Sequence, residues 1–160
     1  MTWRLKRSSM EQTININTGL ISNLMIREIR EVLPSRIQAV ANASDQTTLF
    51  LLLEAMAQTG ALHARYLNNF GRHVFLVKVG RCSLPGHLPA NEAIIIQADM
   101  EGKSDRSFSY HIQARERDHV IMAGDFWFSS ADYDERFNAA ALQQHYRDLW
   151  TCLTSALPTV

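Results

Sequence analysis

The chain has no surplus of either charge: sixteen lysines and arginines meet sixteen aspartates and glutamates. A nucleic-acid binder needs basic excess to displace phosphate counterions, so the balance argues against that class, a local basic patch aside. Cysteine is scarce. Cys82 and Cys152 lie far apart and form no CxxC pair, which fits reduced cytosolic thiols and leaves a single disulfide as the alternative. No apolar run approaches the roughly 20 residues that span a bilayer. Basic Arg4, Lys6 and Arg7 are followed by Ser8, Ser9, Glu11 and Gln12, where a signal peptide needs an apolar stretch. A cytoplasmic protein is expected. Internal repeats and low-complexity tracts are missing, as are a nucleophile elbow around a serine and a glycine-rich loop before a helix. The six histidines (His63, His73, His87, His111, His119 and His145) show no metal-ligand spacing. Each is expected at the surface or satisfied in the core, and no metal or cofactor is implied.

What is present suffices for one domain. Of 160 residues, 46% are hydrophobic, enough to bury a core without disulfides or metal. Residues 1–18 lack periodicity and read as a loose arm, 19–130 as the domain, and 131–160 as a helical extension. Leu24 to Leu33 is ambiguous. Apolar residues at 25, 26, 29, 32 and 33 match a helical face, yet the segment is short and rich in β-branched residues. After Pro34-Ser35, Arg36 to Ala41 alternates as a strand does, Ile37, Ala39 and Ala41 against Arg36, Gln38 and Val40. Ser44, Asp45, Thr47 and Thr48 then offer helix caps.

The most informative stretch is LFLLLEAMAQTGALHARYL, Leu49 to Leu67. Its leucines, alanines and methionine favour helix, and it is too long for an ordinary strand. Between Thr48 and Arg65 the only formal charge is Glu54. A helix apolar nearly all round is one surrounded by protein. Gly60 and the alanines thin its faces for close packing, and Asn68-Asn69 with Gly71 supplies a stop. Strands follow at His73–Val79, Ile94–Met100, Ser107–Arg115 and His119–Phe128, with turns at Gly102–Asp105 and Arg115–Asp118. In the tail, Leu142, Tyr146, Leu149, Trp150 and Leu153 recur at helical spacing, a stripe expected to pack against the sheet. The class is α+β: a long buried helix wrapped by one curved antiparallel sheet with an edge wanting a partner.

LLLEAMAQTGAL resembles the central helix of the β-hydroxyacyl-carrier-protein dehydratases, which begins close to "GVLIIEAMAQAGG". Upstream, LMIREIREVLPSRIQAVANAS is similar to that family's opening "LLIDRVLEVEPG…IVAVKNVS". Downstream, VFLVKVGRCSLPGHLPANEAIIIQADM is similar to its strand, "PGD" loop and strand. The resemblance covers about residues 24 to 128 and implies a hot-dog fold. It also implies a site shared across a dimer, where a histidine from an "HFPGHP" loop of one subunit works with the helix glutamate of the other. Together they eliminate water from a 3-hydroxyacyl thioester, one group taking the α-proton and the other assisting departure of the 3-hydroxyl. By resemblance Glu54 is the catalytic acid and Gln58 a supporting residue; substrates are acyl-carrier-protein or acyl-CoA thioesters.

The histidine of that loop has no counterpart. No histidine precedes His63, and ASDQTTLF stands where the family has its histidine loop. His63 lies nine residues after Glu54, about 13 Å along one helix axis at 1.5 Å per residue, too far to substitute. Pro85-Gly86-His87 is better matched to the later "PGD" loop and reads as a turn. Phe75, Phe108, Tyr110, Phe126, Trp127 and Phe128 read as core and interface, some lining an acyl tunnel. For Glu54 the plain alternative is a helix acid paired with an arginine or a backbone donor. Burying a lone charge is costly, which favours a pocket. Three classes are therefore carried forward: a dehydratase-family subunit pairing with a histidine-bearing relative, an acyl thioesterase using Glu54 as base, and a non-catalytic acyl or carrier-protein binder. In each the chain is a homo- or heterodimer with a related hot-dog subunit.

Overall fold

The computed structural model describes residues 24–43, 47–88, 92–136 and 138–158. The expected N-terminal arm and residues 44–46 of the ASDQTTLF segment lie outside them. In chain order the elements are β1 (Ile26–Leu33), β2 (Arg36–Asn42), α1 (Leu49–Leu67), β3 (His73–Cys82), β4 (Ala93–Lys103), β5 (Ser107–Glu116), β6 (His119–Ala131) and α2 (Ala139–Leu153). The six strands form one antiparallel sheet in the order β1-β2-β4-β5-β6-β3. This is the expected α+β arrangement, with the central helix packed on the sheet and a second helix after it.

The ambiguous first segment is a strand, and its helix-like spacing has a cause. Register shifts interrupt the β1–β2 pairing between Ile26 and Glu28 and again between Ile29 and Glu31. Each bulge inserts a residue, so inward positions recur every three rather than every two. Ile26 and Ile29 are accordingly both buried. In β2, Ile37, Ala39 and Ala41 are buried as expected; Val40 is buried too, in register with Ile95 of β4.

Thr48 caps α1, its hydroxyl accepting from the Leu51 N–H at 3.3 Å. The helix stops one step earlier than Gly71. Asn69 and Phe70 take positive φ of 50° and 58°, whereas no glycine among the described residues does. A bulky residue is rarely found there. The Phe70 N–H donates to the Arg65 carbonyl at 2.8 Å, the bond of a Schellman-type stop, and the Phe70 ring sits edge-on to Trp150 with centroids 5.8 Å apart.

One face of α1, carrying Leu52, Met56, Thr59, Gly60 and His63, is buried against the sheet. Gly60 permits the closest approach: a Cβ there would stand 2.7 Å from Phe128 Cε2 and 3.0 Å from Ile112 Cδ1. Alanine is the better helix former by about 1 kcal/mol, but overpacking a filled core costs about 1–3 kcal/mol. Gly60→Ala should therefore lower stability by about 1 kcal/mol in urea unfolding; an increase would show that the interface has slack.

The opposite face of α1 is not enclosed. Phe50 is 77% exposed, and Glu54 is exposed as well. The apolar stripe of α2 meets the sheet at β1, as expected, with Leu153 buried in the core. Capped by Asn138, whose side chain accepts from the Ala141 N–H, α2 also reaches the last turns of α1. Trp150 stacks on Tyr66 with centroids 4.5 Å apart and planes 9° from parallel. The edge strand β3 bares Phe75, Leu76 and Val77 at 44%, 41% and 61% exposure. No helix among the described residues is long and apolar enough to cross a membrane.

Candidate functional site

Residues 54, 58, 61 and 65 follow one another at intervals of four, three and four, which places them on one stripe of α1. That stripe forms the floor of a cavity of about 260 Å³. Ala57 and Ala61 keep the floor low. Val74, Phe75 and Leu76 of β3 and Phe128 of β6 form one wall, and His145, Tyr146 and Leu149 of α2 form another.

Glu54 and Gln58 meet at this cavity. The Gln58 side-chain amide donates to Glu54 Oε1 at 2.9 Å, and its Oε1 accepts from the Met25 N–H at 2.9 Å. The backbone entering β1 thus fixes which way the Gln58 amide points, and that in turn aims its N–H at the carboxylate. The two residues singled out from the sequence are therefore together, with Gln58 orienting Glu54. The carboxylate is exposed rather than enclosed, and no ion pair to it occurs among the described residues. The arginine partner of the plain alternative is thus not seen.

The histidines fall as expected in part. His63 is wholly buried and satisfied: Nε2 lies 2.9 Å from the Leu33 carbonyl oxygen and Nδ1 3.0 Å from the Tyr110 hydroxyl. The carbonyl can only accept, so Nε2 carries the proton and Tyr110 donates to Nδ1. Burial lowers the pKa of His63 and raises that of Tyr110. His87 meets Glu116 at 3.1 Å, and His111 meets Asp125 at 2.9 Å. The Pro85-Gly86-His87 segment is a bend, as read from the sequence.

Two polar residues of the cavity, Arg65 and His145, are not among those the sequence singles out as site residues. Arg65 looked like the charged end of an apolar run. Its spacing of eleven from Glu54, three helical turns, was the available signal. His145 adjoins Tyr146, which the apolar stripe of α2 had marked, but nothing in the sequence brings α2 to this cavity. Of the aromatic set, Phe108, Tyr110, Phe126 and Phe128 are buried, and Phe75 and Phe128 line the cavity.

No family model matches the chain, and no curated protein matches it. Solved structures do. A putative thioesterase from Lactococcus lactis aligns at a TM-score of 0.63 with 10% identity, over 72% of this chain and 98% of that one. A hypothetical thioesterase from Streptococcus pneumoniae, solved with coenzyme A, aligns at 0.61 with 9% identity, over 70% and 91%. A dehydratase heterocomplex from Xenorhabdus doucetiae aligns at 0.59 with 13% identity, over 71% and 86%. At such identities the likeness concerns architecture, and that architecture is the hot-dog fold.

Proposed function

We propose that this hot-dog chain is a dehydratase-type subunit acting on or binding 3-hydroxyacyl thioesters of an acyl carrier protein or coenzyme A. It works in fatty-acid-, polyketide- or polyene-like chain building, paired with a related subunit that brings a histidine. The carrying observation is the Glu54–Gln58 pair: a carboxylate held in place by an oriented amide, at an apolar cavity, on the open face of the helix. An exposed carboxylate beside a bare apolar edge suits a site completed by a second subunit. There the partner's histidine would take the α-proton while Glu54 polarises the departing 3-hydroxyl. The similarity to a dehydratase heterocomplex supports this reading.

A thioesterase is the second reading. The structural likeness to thioesterases, one of them solved with coenzyme A, favours it, with Glu54 activating water directly.

Two measurements test the proposal. Sedimentation at micromolar concentration should show a dimer, homo- or heteromeric, because Phe75, Leu76 and Val77 on the edge strand invite strand pairing; a stable monomer in the presence of candidate partners counts against it. The purified chain alone should dehydrate 3-hydroxyacyl thioesters about 10² to 10⁴ more slowly than when mixed with a histidine-bearing hot-dog subunit, the usual cost of losing one acid–base group. Equal rates would refute the division of labour, and thioester hydrolysis by the chain alone would favour the second reading.

A further inference from the structure

Arg65 is 9% exposed and lines the cavity of Glu54, yet no carboxylate pairs with it among the described residues. One terminal nitrogen donates to the Val74 carbonyl oxygen at 2.6 Å. The guanidinium carbon lies 4.2 Å from the centroid of the Tyr146 ring. Its Nε is buried with no hydrogen-bond partner among the described residues, and so is the Tyr133 hydroxyl. Burial works against the charge, with Tyr146 and Tyr133 pulling the other way. A guanidinium does not shed its proton to escape such a site. Its bonds to the Val74 carbonyl and the Tyr146 side chain leave the charge without a counter-ion among the described residues, and a buried cation so held is costly unless an anion comes to it.

The position of that anion follows from the helix. Eleven residues at 1.5 Å each put Arg65 about 16 Å along the axis from Glu54, on the same stripe and across the small floor of Ala57 and Ala61. Taking the cavity as the acyl site proposed above, we propose that it selects acyl chains whose far end carries a carboxylate. The thioester end lies at Glu54 and the terminal carboxylate on Arg65. A carboxylate suits the place better than a phosphate does. A single guanidinium neutralises one negative charge, its planar fork matches two carboxylate oxygens, and the walls are otherwise apolar. A methyl-terminated chain would cover the cation without pairing it.

The test uses two non-hydrolysable probes of equal carbon number, S-alkyl pantetheine thioethers ending in a methyl group or in a carboxylate. Calorimetric titration of the full chain should give about tenfold or more tighter binding of the carboxylate-ended probe, since a site built around a buried polar group rejects the analogue lacking its partner. In Arg65→Met that preference should vanish or reverse; in Arg65→Lys, which keeps the charge but not the fork, it should shrink. Arg65 also ties Val74 and Tyr146, so the comparison of probes on the unaltered protein stands as the primary readout even where a variant fails to fold. Equal binding of both probes, or preference for the methyl-ended one, overturns the inference and leaves the acyl site standing. Binding of neither, with or without a partner subunit, overturns both.

Discussion

Changing Glu54 to Gln should stop dehydration by the mixed complex while leaving the complex assembled. Gln matches Glu in size and retains a hydrogen-bonding oxygen, so packing at the second turn of α1 is preserved. It removes the group that can polarise a departing hydroxyl or exchange a proton with it. The expected loss is about 10² to 10⁴ in rate, the contribution of one acid–base group, and it should fall on kcat. The Gln58 side-chain amide, which donates to Glu54 Oε1 and is itself held by the Met25 N–H, should remain in place and bond the new amide oxygen. Gln58→Ala should have a smaller effect, because it frees the carboxylate without deleting it. If the Glu54→Gln complex keeps full activity, Glu54 is structural and the binding-module alternative gains. If instead the unaltered chain alone hydrolyses thioesters and Glu54→Gln ends that, Glu54 is the base of a thioesterase. Gel filtration of the variant complex separates loss of chemistry from loss of assembly.

The elements were legible where one period ruled a segment. The run from Leu49 to Leu67 carries a cap, apolar content and a stop, and it folds as a helix with those bounds. β4, β5 and β6 alternate and are strands. β1 was ambiguous because two bulges against β2 reset its inward positions every three residues, which imitates a helix. A bulge is a property of the pair, not of either strand's sequence. The burial of α1 was overread for a related reason. Its apolar circumference says that all faces seek cover, but not whether the same chain supplies it, and Phe50 and Glu54 remain exposed. The site divides in the same way. Glu54 and Gln58 are four residues apart on one helix, so their meeting is local and readable. The approach of α2 to α1, which brings Tyr146 over Arg65, is a tertiary contact with no periodic signature.

Replacing His63 with Leu should cost about 3 kcal/mol and change how stability depends on pH. The imidazole is wholly buried and links two elements to α1: Tyr110 of β5 donates to Nδ1, and Nε2 donates to the Leu33 carbonyl at the end of β1. Leucine fills much of the space but leaves the Tyr110 hydroxyl without its acceptor. An orphaned buried group costs about 1–3 kcal/mol and a lost hydrogen bond about 1 kcal/mol more. The Leu33 carbonyl belongs to an exposed residue, so water can replace its donor and the total stays near the middle of that sum. Tyr110→Phe removes only one of the two bonds and should cost less. The pH effect follows from burial, which holds the proton affinity of His63 below that of a free imidazole. Below about pH 6.5 the unfolded chain binds a proton at this position that the folded chain resists. Unfolding takes up protons there, so stability should rise with pH between the folded and unfolded pKa values and level off above the latter. Half-buried His73, whose pKa is also lowered by burial and by nearby Arg65, contributes with the same sign and persists in the variant. His63→Leu should therefore flatten the acid limb of the urea-unfolding free energy in part, not wholly. An unchanged slope would mean that the folded chain holds a proton on His63 as readily as the unfolded one, with the Tyr110 hydroxyl turned to accept from Nδ1 instead of donating to it.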